Sequence, residues 1–187
     1  MPARNIVITG DLVLHNNAQS VSEINDYIRD LVQDMYDTMD LAPGVGLAAP
    51  QIGIPLAIFV YDFEDANRHV RGVAINPELE LFDQSDDEPD PDSESEGCLS
   101  VPGERFPLKR APRVTLRALD IDGEPYEFSA EGWLARIFQH EFDHLRGTLY
   151  VDRLRKPHRA KALQAIKKAG WGKPGRSWTP GSDFLEP

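Results

Sequence analysis

Between positions 20 and 39 apolar residues recur every three or four places: Ile24, Tyr27, Ile28, Leu31, Met35, Tyr36 and Met39. That spacing predicts an amphipathic helix with one face turned to a core. Ser20, with Glu23 three residues later, offers a capping box at its start. Pro43 bounds the other end, because a pyrrolidine ring cannot continue a helix. The stretch GVGLAAPQIGIP, 44–55, is too rich in glycine and proline for regular structure. The period then shortens. AIFVYDF (57–63), VRGVAINP (70–77) and LELF (79–82) are β-branched or aromatic and bounded by turn residues, which predicts strands. RVTLRALD and EPYEFSA flank Ile121-Asp122-Gly123, where Asp-Gly predicts a hairpin. A second helix is expected over about 131–146, stopped by Gly147, and a third, basic one over about 157–169, ending at Gly170. The tail GWGKPGRSWTPG is irregular, ordered only if Trp171 or Trp178 docks. Runs of strands followed by helices, without alternating βαβ units, indicate an α+β fold.

Composition adds bounds to this picture. With 187 residues, 41% hydrophobic and 27% charged, the chain can bury a proper core and reads as one domain over 1–187. Asp plus Glu is 31 against 20 Lys plus Arg, a net charge of −11, which argues against a general DNA or RNA binder. No run reaches the roughly 18 to 20 apolar residues of a membrane span, and the N-terminus shows no apolar stretch of a secretory or transit peptide. One cysteine excludes an internal disulfide framework and fits a reducing cytoplasm. The charge is uneven: residues 1–152 hold 11 basic and 29 acidic side chains, whereas 153–176 hold nine basic and no acidic ones. Segment 83–96, with eight acids in fourteen positions, is expected to be a solvated loop.

His140-Glu141-Phe142-Asp143-His144 falls on the second predicted helix. Two histidines at i and i+4 share a face, so both imidazoles can reach one metal ion. Glu141 is offset by about 100° and can act on a nearby water without being a ligand. The stripes Trp133-Ile137-His140-His144 and Leu134-Phe138-Glu141-Leu145 turn these groups toward the apolar interior, where an unpaired charge is expensive. A helix with two satisfied core histidines and a buried ion pair would share the pattern; the facing favours the metal. A third ligand is then required. The extended zinc-protease pattern HExxHxxGxxH has its Gly here as Gly147, but Tyr150 replaces the last His. Residues 153–176 hold no carboxylate, and Asp183 and Glu186 lie in the irregular tail. The ligand is therefore expected upstream. His15 and His69 have no supporting pattern; Cys98, in Glu96-Gly97-Cys98-Leu99-Ser100, is the better candidate, although a lone cysteine is often only a small buried apolar group.

GVGLAAPQ (44–51), EGCLS (96–100) and QHEFDH (139–144) together resemble the three motifs of the peptide deformylases, in that order, and the spacing extends the resemblance over roughly 5–160. The tail and the long acidic loop are similar to the actinobacterial branch. Leu12 departs from the proline usual in the family, and the 83–94 loop is unusually long. The resemblance implies several short, mostly antiparallel strands packed around a central metal-binding helix, with an amphipathic helix before and a basic one after. It implies hydrolysis of the formyl group from N-formylmethionyl nascent peptides in the bacterial cytoplasm. Carried over by position, Cys98, His140 and His144 hold the metal, Glu141 is the acid and base, and Gln51 with the Leu99 N–H stabilises the developing oxyanion. Backbone at Gly44, Val45 and Gly46 would pair with an extended peptide and Gly97 would border it; Arg105, seven residues after Cys98, either lies near the substrate carbonyls or is a solvated charge. The family points to Fe²⁺, with Zn²⁺ or Ni²⁺ able to substitute. Arg136 either borders the methionine side-chain pocket or points outward. The basic segment 153–176 offers a ribosome contact through phosphate neutralisation, or else clamps onto the acidic loop. A zinc endopeptidase and a non-catalytic ribosome-associated binder are the competing classes; the Cys98 motif counts against the first and Glu141 against the second.

Overall fold

The computed structural model describes residues 3–64 and 68–183; Glu186 lies outside them. A short strand β1 (Ile6–Val7) leads through a 3-10 turn (Leu12–His15) to helix α1 (Asp26–Leu41). The helix begins six residues after Ser20. Its cap is Asn25, whose side chain accepts from the Ile28 N–H at 3.2 Å. Tertiary pairing overrides the Ser20–Glu23 box: Gln19 bonds backbone groups of Pro55 and Ala57, and Val21 exchanges two hydrogen bonds with the Asn76 side chain. Those contacts hold 19–21 extended. Ile28, Leu31, Met35 and Met39 are buried as the stripe requires, but Tyr27 is 54% exposed.

The glycine- and proline-rich stretch is more regular than expected. It supplies the edge strand β2 (Gly46–Ala48) and a 3-10 turn (Ala49–Ile52), because its backbone pairs with β3 (Ile58–Glu64), Gly46 opposite Tyr61. The two expected strands at 70–82 are one bent strand, β4 (His69–Phe82). Its register shifts between Ile75 and Glu78, at Asn76-Pro77, where proline cannot donate to a ladder. The first half of β4 pairs with β3 and the second with β7 (Arg113–Leu119), once past the hairpin β5 (Ser95–Cys98) and β6 (Val101–Pro107). Strand β8 (Pro125–Glu131) closes the predicted hairpin around Gly123. The result is a five-stranded antiparallel sheet in the order β2-β3-β4-β7-β8, with β5-β6 as a separate ribbon.

Alternation along β3 assigns its two faces. Ile58 and Val60 pack with α1, and Phe59 and Tyr61 pack with helix α2 (Gly132–Leu145). Helix α3 (Tyr150–Arg153) and helix α4 (His158–Lys168) build a third cluster with β5 and β6 around Leu14, Phe106, Tyr150 and Ala162. Gly147 stops α2 with φ 66°, a conformation a side chain would resist, and a Cβ there would sit 2.8 Å from the His15 and Asn16 backbone. The tail is docked: β9 (Ser177–Trp178) pairs with β1, and Trp178 is buried. Among the described residues no helix is long and apolar enough to cross a membrane.

Candidate metal centre and active site

Phe138 sets the rotation of α2, meeting the rings of Tyr61 and Phe128 edge-on at 4.8 and 5.8 Å. Gln139 adds a polar clamp, accepting from the Ala111 N–H and donating to the Ala111 carbonyl. With α2 fixed, His140 and His144 turn toward the end of β5. The Nε2 of His144 lies 3.4 Å from the Cys98 sulfur, and one donor atom from each of Cys98, His140 and His144 lies within 4.8 Å of the others. Cys98 and His144 are buried and His140 half-buried. Tyr150, at the position of the missing third histidine, stacks on the His140 ring at 6.0 Å and donates to the Glu104 carbonyl.

The orientation of His140 is set by Glu96. Its Oε2 lies 2.7 Å from His140 Nδ1, which leaves the other ring nitrogen to the space shared with Cys98. Glu96 also accepts two bonds from Arg110 and one from Arg136, each 3.0 Å. Burial would raise its pKa, but the Arg110 guanidinium and His140 overcome that and hold the carboxyl well below the usual range. Arg110 continues to Asp143, which also receives Arg153. Glu96 is thus no part of a solvated loop; it is 4% exposed. The sequence reading missed Arg110 and Asp143. Nothing in their local pattern marks them, since a lone Arg and a lone Asp become partners only through the fold. Arg136 is buried, donating to Glu96 and to the Leu108 carbonyl.

Glu141 is 4% exposed, and its Oε2 has no hydrogen-bond partner among the described residues. Burial pushes its pKa up to about 7, partly opposed by His140 and reinforced by Glu96. For His140, burial is outweighed by the facing Cys98 and Glu96, so its pKa lies well above the ordinary value. His144 is held well below that value by burial and by the charge of His140. The donor set fits a divalent metal: a sulfur and two imidazoles converge, and a carboxylate oxygen beside them is unspent.

A cavity of about 220 Å³ opens above this cluster. Val45, Gly46, Gln51, Gly97, Cys98, Leu99, Arg105, His140 and Glu141 all line it, and His144 completes the donor set. Gln51 Oε1 accepts from the Ala48 N–H at 2.8 Å, which turns its Nε2 toward the Cys98 sulfur at 3.7 Å. Arg105 is exposed at the rim and donates to the Ser95 carbonyl.

The family model for polypeptide deformylase matches residues 3–160. The chain belongs to that family. It is 49% identical over 190 residues to the peptide deformylase of Tropheryma whipplei strain TW08/27, covering 94% of this chain and 92% of that one. It is 48% identical to the peptide deformylase of Rhodococcus opacus strain B4, covering 95% and 93%. The crystal structure of a peptide deformylase from Synechococcus elongatus in complex with actinonin superposes with a TM-score of 0.79 at 36% identity, over 94% of this chain and 92% of that one.

Family membership gives weight to one close approach. A Cβ at Gly46 would stand 2.4 Å from Glu141 Oε1 and 2.8 Å from its Cδ, so only glycine lets β2 pass the carboxylate. Gly46→Ala is expected to keep the fold and the bound metal while displacing Glu141, lowering kcat/KM about 100-fold, as a misplacement of about 1 Å does elsewhere. Steady-state kinetics beside metal content measures this; wild-type turnover would show that the carboxylate moves freely.

Proposed function

We propose that this chain is a metal-dependent hydrolase removing the formyl group from the N-terminal formylmethionine of new polypeptides, releasing formate. The observation that carries the reading is the convergence of Cys98, His140 and His144 beside the unpartnered, buried Glu141 oxygen. When bound, a divalent ion there supplies Lewis acidity and makes water a competent nucleophile at neutral pH. Glu141 takes a proton from the attacking water and delivers it to the leaving α-amine. Gln51 Nε2 and the Leu99 N–H act as donors to the charge developing on the formyl oxygen, each worth about 3 kcal/mol in such sites. Because Ala48 already holds Gln51 Oε1, the amide presents its NH₂ end to the site. Val45 and Gly46 pair with the extended peptide, while Gly97 and Arg105 border it. One thiolate with two imidazoles suits Zn²⁺ and Fe²⁺ alike; the resemblance to the family points to Fe²⁺, with Zn²⁺ or Ni²⁺ able to replace it.

The chain reads as one catalytic domain, with 157–187 as its C-terminal extension, working in the cytoplasm where nascent chains emerge. Its basic segment, 153–176, fits a contact with ribosomal phosphates. Arg155 is held by Asp86 of the acidic loop, which favours an internal clamp for that residue. Lys161→Glu with Lys167→Glu is expected to reduce ribosome co-sedimentation at low salt; unchanged pelleting removes the contact.

The decisive assay is formate release from formyl-Met-Ala-Ser by anaerobically purified, Fe²⁺-loaded protein, beside Cys98→Ala. Rapid turnover lost in the variant supports the reading. No formate from protein holding one metal per chain overturns it, and cleavage of an unformylated casein would favour the endopeptidase.

A further inference from the structure

The tail beyond residue 160 lies outside the family match, and the proposed chemistry uses none of it. Among the described residues of the tail, the one buried aromatic side chain reaches the segment that carries the sulfur. We propose that Trp178 is a positioning residue that sets, through the Leu99–Ser100 peptide, the hydrogen bond received by the Cys98 sulfur. This rests on Cys98 being a metal ligand.

The indole Nε1 of Trp178 donates to the Leu99 carbonyl at 2.9 Å, both groups buried. The Ser100 N–H donates to the Cys98 sulfur at 3.4 Å. These two bonds use opposite ends of one peptide unit. A trans peptide is planar, so gripping the carbonyl on one side aims the N–H on the other. The next carbonyl, of Ser100, accepts from the Thr9 N–H at 2.8 Å, which pins the following unit as well. The grip is anchored where β9 pairs with β1 and where the Ile8 N–H meets the Arg176 carbonyl. Trp178 is 3% exposed, so water does not compete for the Leu99 carbonyl.

An N–H aimed at a thiolate draws charge from the sulfur and weakens its donation to a bound ion. Such supporting hydrogen bonds typically change metal affinity or activity 10- to 100-fold when removed. Trp178 therefore adjusts the sulfur without touching substrate or metal.

The test uses full-length protein loaded with Co²⁺, whose sulfur-to-metal charge-transfer band reports on thiolate donation without any turnover. Trp178→Phe keeps an aromatic ring and deletes the donor. A second variant, with benzothiophene replacing the indole at that one position, keeps shape and volume and guards against misfolding of the first. Both are expected to move the band to lower energy and to lower kcat about tenfold, with KM within about twofold. Tyr126→Phe serves as the control, because it removes a hydrogen bond to the Val73 carbonyl within the five-stranded sheet and leaves β1, β9 and the Leu99 peptide untouched. It is expected to leave the band and kcat unchanged at a comparable loss of melting temperature. A wild-type band in the benzothiophene variant overturns the proposal, as does the same shift in Tyr126→Phe. The spectrum is read without substrate, so failure of the hydrolase reading would show separately, as absent formate release from wild-type protein.

Discussion

Glu141→Gln is expected to lower kcat for formyl-peptide hydrolysis about 1,000-fold while metal content stays at the wild-type level. General acid–base catalysis contributes factors of this size, and an amide of the same shape can neither take nor return the proton. The melting temperature should not fall. Glu141 Oε2 is buried without a partner, so a neutral group there relieves a cost instead of breaking a contact. Three measurements decide it: single-turnover formate release, metal analysis and thermal unfolding. Activity within tenfold of wild type would remove Glu141 from proton transfer. Loss of metal together with activity would make it a support for the donor set.

Glu96→Ala should act on stability first. It strips Arg110 and Arg136 of their shared counter-charge while both stay buried, and it leaves His140 Nδ1 without its partner. Removing one partner of a buried ion pair typically costs about 3–5 kcal/mol. The lower part of that range is expected, because Arg110 keeps Asp143 and Arg136 keeps the Leu108 carbonyl. Freed of its orienting carboxylate, His140 should also bind metal about 10- to 100-fold more weakly. Urea unfolding of the metal-free protein separates the two effects from a chelator titration. A loss below about 1 kcal/mol would mean that water enters and solvates the two guanidinium groups.

Much of this arrangement was legible before the structure. Periodicity located α2 and the core-facing stripe of α1, because burial of one helix face leaves a direct trace in residue spacing. The HEFDH spacing located His140 and His144 for the same kind of reason, because short-range geometry fixes them relative to one another, whereas Cys98 is reached only by elimination among upstream residues and by the resemblance of the three motifs. What escaped depends on distant partners. Glu96 ends a run of acids, and composition alone assigns such a run to solvent; it is buried because Arg110, Arg136 and His140 converge on it from other elements. The start of α1 moved to Asn25 because the Asn76 side chain holds Val21 extended, a contact spanning 55 residues. The Asn76-Pro77 bulge made one bent strand look like two. Trp178 was expected only as a possible anchor for the tail, and nothing along the chain connects it to Leu99.

Strand β2 stands at the margin of the five-stranded sheet, paired among the described residues with β3 alone, and Gly46 and its neighbours line the cavity. An incoming chain that pairs there contributes backbone groups, which are the same for every residue. Only a segment whose own amides are unspent can do so. A polypeptide end already folded into a helix or a finished sheet has none to offer. On the proposed pairing the reaction is in a race with its substrate's folding, and the window closes when the new N-terminus finds its place in its own structure.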